Sequence, residues 1–142
     1  PQLNVYGITN RRFLTFTNTL INQTTPTEVA EGVIDLQAEY GIDADNDGTL
    51  AAAEWTSTTP ATTAAWGQLR AIRIGLLARS QQFEQINVTA VAPSWAGGAF
   101  AMTNLDGTAD STPGNANDWR RYRYRVYETV IPLRNVVWGI TN

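Results

Sequence analysis

A chain of 142 residues, 43% apolar and 16% charged, is long enough to fold as one globular domain that buries about two-thirds of the surface its unfolded form exposes. It has no histidine and no cysteine, which excludes Ser-His and Cys-His catalytic pairs, the usual zinc ligands and any disulfide framework. The net charge is −3 and every basic residue is arginine, with none between Phe13 and Leu69, so the acids of residues 28–54 form an unbalanced block with no nucleic-acid signature.

In chain order, residues 3–9 and 13–18 are β-branched and aromatic around Thr9-Asn10-Arg11-Arg12, which predicts a hairpin. Thr27 followed by Glu28 and Glu31 predicts a short helical turn up to Gly32. Ile34, Leu36, Ala38 and Tyr40 then alternate with Asp35, Gln37 and Glu39, the period of a half-buried strand. Residues 54–63 read as a short helical piece and a Thr/Pro-rich connector. In residues 71–79, Ile72, Ile74 and Leu76 share one face, which predicts a strand packed on the core through them. Residues 80–117 form a variable, loop-rich tract, with a strand expected at 86–91, a loop from Pro93 onward and a mobile part at 110–117. Last, Arg121, Arg123 and Arg125 alternate with Tyr122, Tyr124 and Val126, placing charge in solvent and rings in the core of a strand that runs to about residue 133. Pro132 marks an edge or terminal position, because proline cannot donate to a ladder. The sequence predicts an α+β fold, mainly antiparallel β-sheet with short helices, as a single domain over residues 1–142.

The chemistry concentrates in Asp43-Ala44-Asp45-Asn46-Asp47-Gly48-Thr49-Leu50-Ala51-Ala52-Ala53-Glu54. Acids at positions 1, 3 and 5, glycine at 6 and glutamate at 12 reproduce the spacing of a calcium loop. Ca²⁺ takes six to eight hard oxygen ligands, and a tightly turning backbone gathers them from alternate side chains. The expected ligands are Asp43, Asp45 and Asp47 through carboxylates, the Thr49 carbonyl, and both oxygens of Glu54. Asp, Asn and Gly also build solvated turns. Three aspartates within five residues nonetheless repel one another without a cation between them. Asn104 to Asp110 is too sparse in acids to be more than a turn, and one loop lacking paired amphipathic helices is not an EF-hand.

Three blocks resemble the PilW family of type IV pilus minor pilins. They are Glu31-Gly32-Val33-Ile34-Asp35-Leu36-Gln37-Ala38-Glu39-Tyr40-Gly41-Ile42-Asp43 with the acidic loop after it, Leu69-Arg70-Ala71-Ile72-Arg73-Ile74-Gly75-Leu76-Leu77-Ala78-Arg79-Ser80, and Thr129-Val130-Ile131-Pro132-Leu133-Arg134-Asn135. The likeness spans about residues 6–135. The family is related to the J-type minor pseudopilin of type II secretion. The resemblance implies a pilin-like globular head carried on an N-terminal hydrophobic helix, in a subunit that helps prime pilus assembly at or near the tip. Two features depart from the family: the leader and long apolar helix are not in this chain, and family members are commonly longer, so the chain is expected to be their C-terminal half, trimmed, processed or supplied with its helix by a separate chain; Pro132, where a small residue is usual, is a minor difference.

These observations imply a non-enzymatic structural subunit of an extracellular pilus, with a structural Ca²⁺ and other pilins as partners. It would sit at the bacterial cell surface, facing the periplasm before assembly, with membrane contact only through a helix outside this chain. The alternative is a calcium-stabilised adhesin recognising a surface or glycan through Trp55, Trp66, Trp95 or Trp119. Glu31 and Asp35 are a carboxylate pair without a recognisable catalytic partner, so no catalytic residue is expected.

Overall fold

The computed structural model describes residues 3–106 and 117–133. The chain clusters into two compact units, one of Pro1–Leu36 with Leu76–Tyr127 and one of Gln37–Gly75 with Glu128–Asn142.

The first unit opens on a three-stranded antiparallel sheet in the order β1 (Asn4–Thr9), β2 (Phe13–Asn18), β3 (Thr27–Glu31). The predicted hairpin forms with Thr9 opposite Phe13, and Asn10 and Arg11 both take positive φ to turn the chain. The helical turn expected from Thr27 is instead β3, paired with β2 from Phe13 opposite Glu31 to Phe16 opposite Thr27, with a register shift between Leu14 and Thr15 that leaves Val29 without an opposite residue. Its N-cap signal lost because Thr27, Glu28, Ala30 and Glu31 meet an existing strand, and ladder hydrogen bonds outweigh one capping bond. Gly32 then bends the chain at φ +86°, with its N–H on the Arg12 carbonyl (2.7 Å) and its own carbonyl accepting from Arg79 N–H (2.8 Å).

The core of this unit is Leu77, Trp95 and Phe100, with Ile34, Met102, Tyr124 and Val126 packed against it. Trp95 belongs to a small hairpin, β7 (Ser94–Trp95) with β8 (Gly98–Ala99), inside the tract expected to be loop. A Cβ at Gly97 would lie 2.4 Å from the Trp95 ring, so the absence of a side chain there lets the indole fold over the turn. No strand forms at residues 86–91: Glu84, Val88 and Thr89 N–H groups donate to the carbonyls of Arg120 and Arg121, leaving Ile86 and Val91 exposed. Arg121 is not in a strand either but closes the 3-10 turn Trp119–Arg121, capped by Asp118, whose side chain accepts from Arg120 N–H. Of the segment expected to be mobile, residues 110–116 lie outside the described residues.

A four-stranded sheet has the order β5 (Trp55–Thr56), β4 (Val33–Ile42), β6 (Leu69–Arg79), β9 (Tyr124–Pro132). Residues 33–36, 76–79 and 124–127 of its strands belong to the first unit and the remainder to the second. β4 and β5 run antiparallel, with Tyr40 opposite Thr56 and Gly41 opposite Trp55, and in the second unit Asp43 N–H donates to the Gln68 carbonyl and Leu133 N–H to the Arg70 carbonyl. On β6 the buried positions are Leu69, Ala71, Gly75 and Leu77, whereas Ile72, Ile74 and Leu76 are half-buried, the reverse of the expected faces. Both faces of β6 are at least partly covered, so alternation alone does not reveal the deeper one. Arg73 lies on the buried parity because Glu39 accepts from it (2.5 Å) and Trp55 receives its guanidinium at 4.6 Å from the ring centroid. β9 occupies the sheet edge and ends at Pro132, as the proline requires. The helical character expected at 54–63 falls on either side of β5, in the 3-10 turn Ala52–Glu54 and in α1 (Thr63–Gly67), whose first turn Thr62 caps at Ala65 N–H. Among the described residues no helix is long and apolar enough to cross a membrane.

Candidate metal centre

β4 delivers the chain into the acidic loop at Asp43, whose N–H is tied to the Gln68 carbonyl at 3.0 Å. From there the loop coils through Asn46 at φ +59° and Gly48 at φ +85°. Asparagine and glycine are the residues that adopt the left-handed region most readily, so this local sequence permits the turn. Side chains then fasten it: Asp45 Oδ1 accepts from Asp47 N–H at 3.2 Å, and Asp47 Oδ1 accepts from Thr49 N–H at 2.7 Å and from the Thr49 hydroxyl at 2.8 Å. Those two bonds, the backbone one foremost, hold the Asp47 carboxyl below its ordinary pKa.

The outcome is a convergence of Asp43, Asp45 and Asp47, each bringing one carboxylate oxygen to within 4.8 Å of the others. Asp45 and Asp47 are exposed, whereas Asp43 is 1% exposed. Asp43 Oδ2 accepts from Arg70 Nε at 3.1 Å, and Oδ1, also buried, has no hydrogen-bond partner among the described residues. An ionised carboxylate oxygen removed from water and left unpaired is costly. The donor set is all hard oxygen, which suits Ca²⁺ and not a soft transition metal.

Glu54 accepts from two amides of the loop. Its Oε1 accepts from Ala44 N–H at 2.7 Å and its Oε2 from Ala51 N–H at 2.8 Å, and it is not part of the aspartate cluster. Leu50 and Trp55 close over Gly41 of β4, where an added Cβ would sit 2.6 Å from Leu50 Cδ1 and 3.0 Å from the Trp55 ring. Arg70, the counter-ion of Asp43, had no signal in the sequence; 27 residues separate the two, and only the pairing of β4 with β6 brings them together.

The remaining candidates disperse. Glu31 on β3 pairs with Arg12, and Asp35 on β4 accepts from Leu36 N–H at 2.8 Å. In the sparse second loop Asn104 is buried and its Oδ1 accepts from Trp119 N–H, while residues 107–110 lie outside the described residues. Trp95 and Trp119 are buried, and Trp55 lies under Arg73, so none of these three is an open aromatic platform. Trp66 is 45% exposed, with Tyr40 against its edge at 6.1 Å. Of the arginines of the last segment, Arg120 lies against Trp119, Arg121 against Phe83 and Arg125 against Tyr127, while Arg123 Nε donates to Glu84 Oε1 at 3.0 Å.

A mainly antiparallel β fold bearing one acidic loop is thus the class that the structure defines. The family model of the type IV pilus-assembly protein W matches residues 6–135, and the chain belongs to that family. Neither a curated protein nor a solved structure gave a significant match. The family places the protein in type IV pilus assembly, at the cell surface or in the periplasm, among pilus-related partners.

Proposed function

We propose that the chain is the globular head of a minor pilin, a structural rather than catalytic subunit that acts in assembly at or near the pilus tip, and that Ca²⁺ pins the loop at residues 43–54. The family match over residues 6–135 supports the first part. The second rests on one observation, the buried and unpartnered Oδ1 of Asp43, a residue whose carboxylate converges with those of Asp45 and Asp47. The candidate ligands are Asp43, Asp45, Asp47, Thr49 and Glu54.

A cation present at ten times its dissociation constant would stabilise the folded chain by about 1.4 kcal/mol, and at a hundred times by about 2.7 kcal/mol. Calorimetric titration with Ca²⁺ and melting curves in calcium and in chelator test the metal. Identical curves and no binding heat would remove it. Immunogold labelling of sheared filaments tests the subunit role: gold at filament ends supports a tip pilin, periodic gold a shaft subunit, and unlabelled filaments in a strain that expresses the protein would refute incorporation. The adhesin reading keeps Trp66 as its exposed aromatic, and a Trp66→Ala variant with unchanged surface attachment would end it.

A further inference from the structure

Position 12 of the acidic loop is the one that loop spacing assigns as a bidentate ligand. Here its carboxylate is already spoken for: Glu54 Oε1 takes the N–H of Ala44, just after the first aspartate, and Oε2 takes the N–H of Ala51, three residues before Glu54 itself. The same residue therefore bridges the two ends of the loop. Glu54 N–H returns to the Ala51 carbonyl at 3.1 Å, closing a 3-10 turn that orients the carboxylate, and Gln68 Nε2 anchors the Ala44 carbonyl at 3.2 Å. The aspartates meet in this clasped arrangement, without Glu54 among them.

We infer that Glu54 is a clasp rather than a ligand: it holds the loop in its binding form through the Ala44 and Ala51 amides, while the cation is held by Asp43, Asp45 and Asp47, the Thr49 carbonyl and water. This rests on the calcium reading above and refines it. The consequence concerns regulation. Four protein oxygens leave several of the six to eight positions to water, which places the site with extracellular modules of dissociation constant about 10⁻⁴–10⁻³ M rather than with intracellular sensors. Such a site fills and empties over the range of environmental calcium. Each change reaches Asp43 and with it Arg70 at the start of β6, so loop occupancy is linked to the strand's ion pair.

The test uses Tb³⁺ as a luminescent stand-in for Ca²⁺ on the whole chain, with decay in H₂O and D₂O counting the waters on the ion. The parent, Glu54→Gln and Asp45→Asn are compared, alongside melting in chelator and calcium affinity. A clasp predicts that Glu54→Gln lowers the chelator melting temperature by several degrees, because one glutamine oxygen cannot serve two amides. It also predicts about three waters on the ion in parent and Glu54→Gln alike. Asp45→Asn should leave the chelator melting temperature nearly unchanged, weaken calcium binding at least tenfold and admit about one more water. An unchanged chelator melting temperature in Glu54→Gln would overturn the clasp, and a rise of about two waters on its ion would make Glu54 a ligand and overturn it likewise. If the parent binds neither Ca²⁺ nor Tb³⁺, the calcium reading fails by itself, and the chelator melting curves still decide whether Glu54 braces the loop.

Discussion

Replacing Asp43 by asparagine isolates what the buried carboxylate does before any cation arrives. The substitution keeps shape and volume but removes the negative charge that accepts from Arg70 Nε at 3.1 Å. Arg70 is 18% exposed and keeps a second partner, since Nη1 donates to the Gly67 carbonyl at 3.1 Å, so the loss is one charge-assisted bond and not a stranded ion. Such a bond is worth about 1.5–3 kcal/mol, and relief of repulsion from Asp45 and Asp47 trims this toward about 2 kcal/mol. For a chain of this size the melting temperature in chelator should then fall by roughly 6–8 °C. In millimolar calcium the gap should widen, because only the parent gains binding energy. Thermal unfolding followed by circular dichroism at neutral pH in both solutions reads both quantities. A variant as stable as the parent in chelator would show that crowding of the three acids outweighs the Arg70 contact, and an unchanged calcium-induced shift would show that Asp43 does not touch the cation.

Truncating Leu77, which is 1% exposed among Trp95 and Phe100, to alanine should cost about 2–5 kcal/mol in urea unfolding with little change in slope. Gly32→Ala places a side chain at φ +86° and 3.2 Å from the Arg79 carbonyl, so a loss of about 1–2 kcal/mol is expected; a neutral result would mean the turn relaxes freely. Burial, opposed by the charge of Arg79, raises the pKa of the Tyr124 hydroxyl well above its ordinary 10.0. With the folded-state pKa raised, the stabilisation is complete below the unfolded pKa near 10 and is lost as pH climbs through the folded value, so stability should fall above about pH 10. Tyr124→Phe should lie below the parent at pH 8, having lost the bond to the Trp119 carbonyl (2.8 Å), and should show a shallower decline between pH 10 and 12. Parallel declines would refute the assignment to Tyr124.

Much of the architecture was legible because it depends on near neighbours. The first hairpin follows from two β-branched runs around Asn10 and Arg11, and the strand into Asp43 follows from the alternation of Ile34 to Tyr40. Where the reading failed, partners distant in sequence decided. Thr27–Glu31 carries a helix-start signal and becomes a strand because β2 is there to pair with. Residues 86–91 carry a strand-like composition but find the carbonyls of the Trp119–Arg121 turn instead of a ladder. β6 turns Leu69, Ala71 and Leu77 to its deeper face, a choice that alternation cannot make for a strand covered on both sides.

At the candidate site the division is equally physical. The sequence by itself determined that the acids are clustered, that Asn46 and Gly48 can turn between them, and that three carboxylates fall close together, because those properties are local to residues 43–49. Tertiary structure alone decided that Asp43 is buried against Arg70 and that one of its oxygens lacks a partner. It also decided that Glu54 spends both oxygens on the amides of Ala44 and Ala51. Spacing says which side chains can reach a common point; the competing donors brought in by the fold determine which of them remain free to bind there.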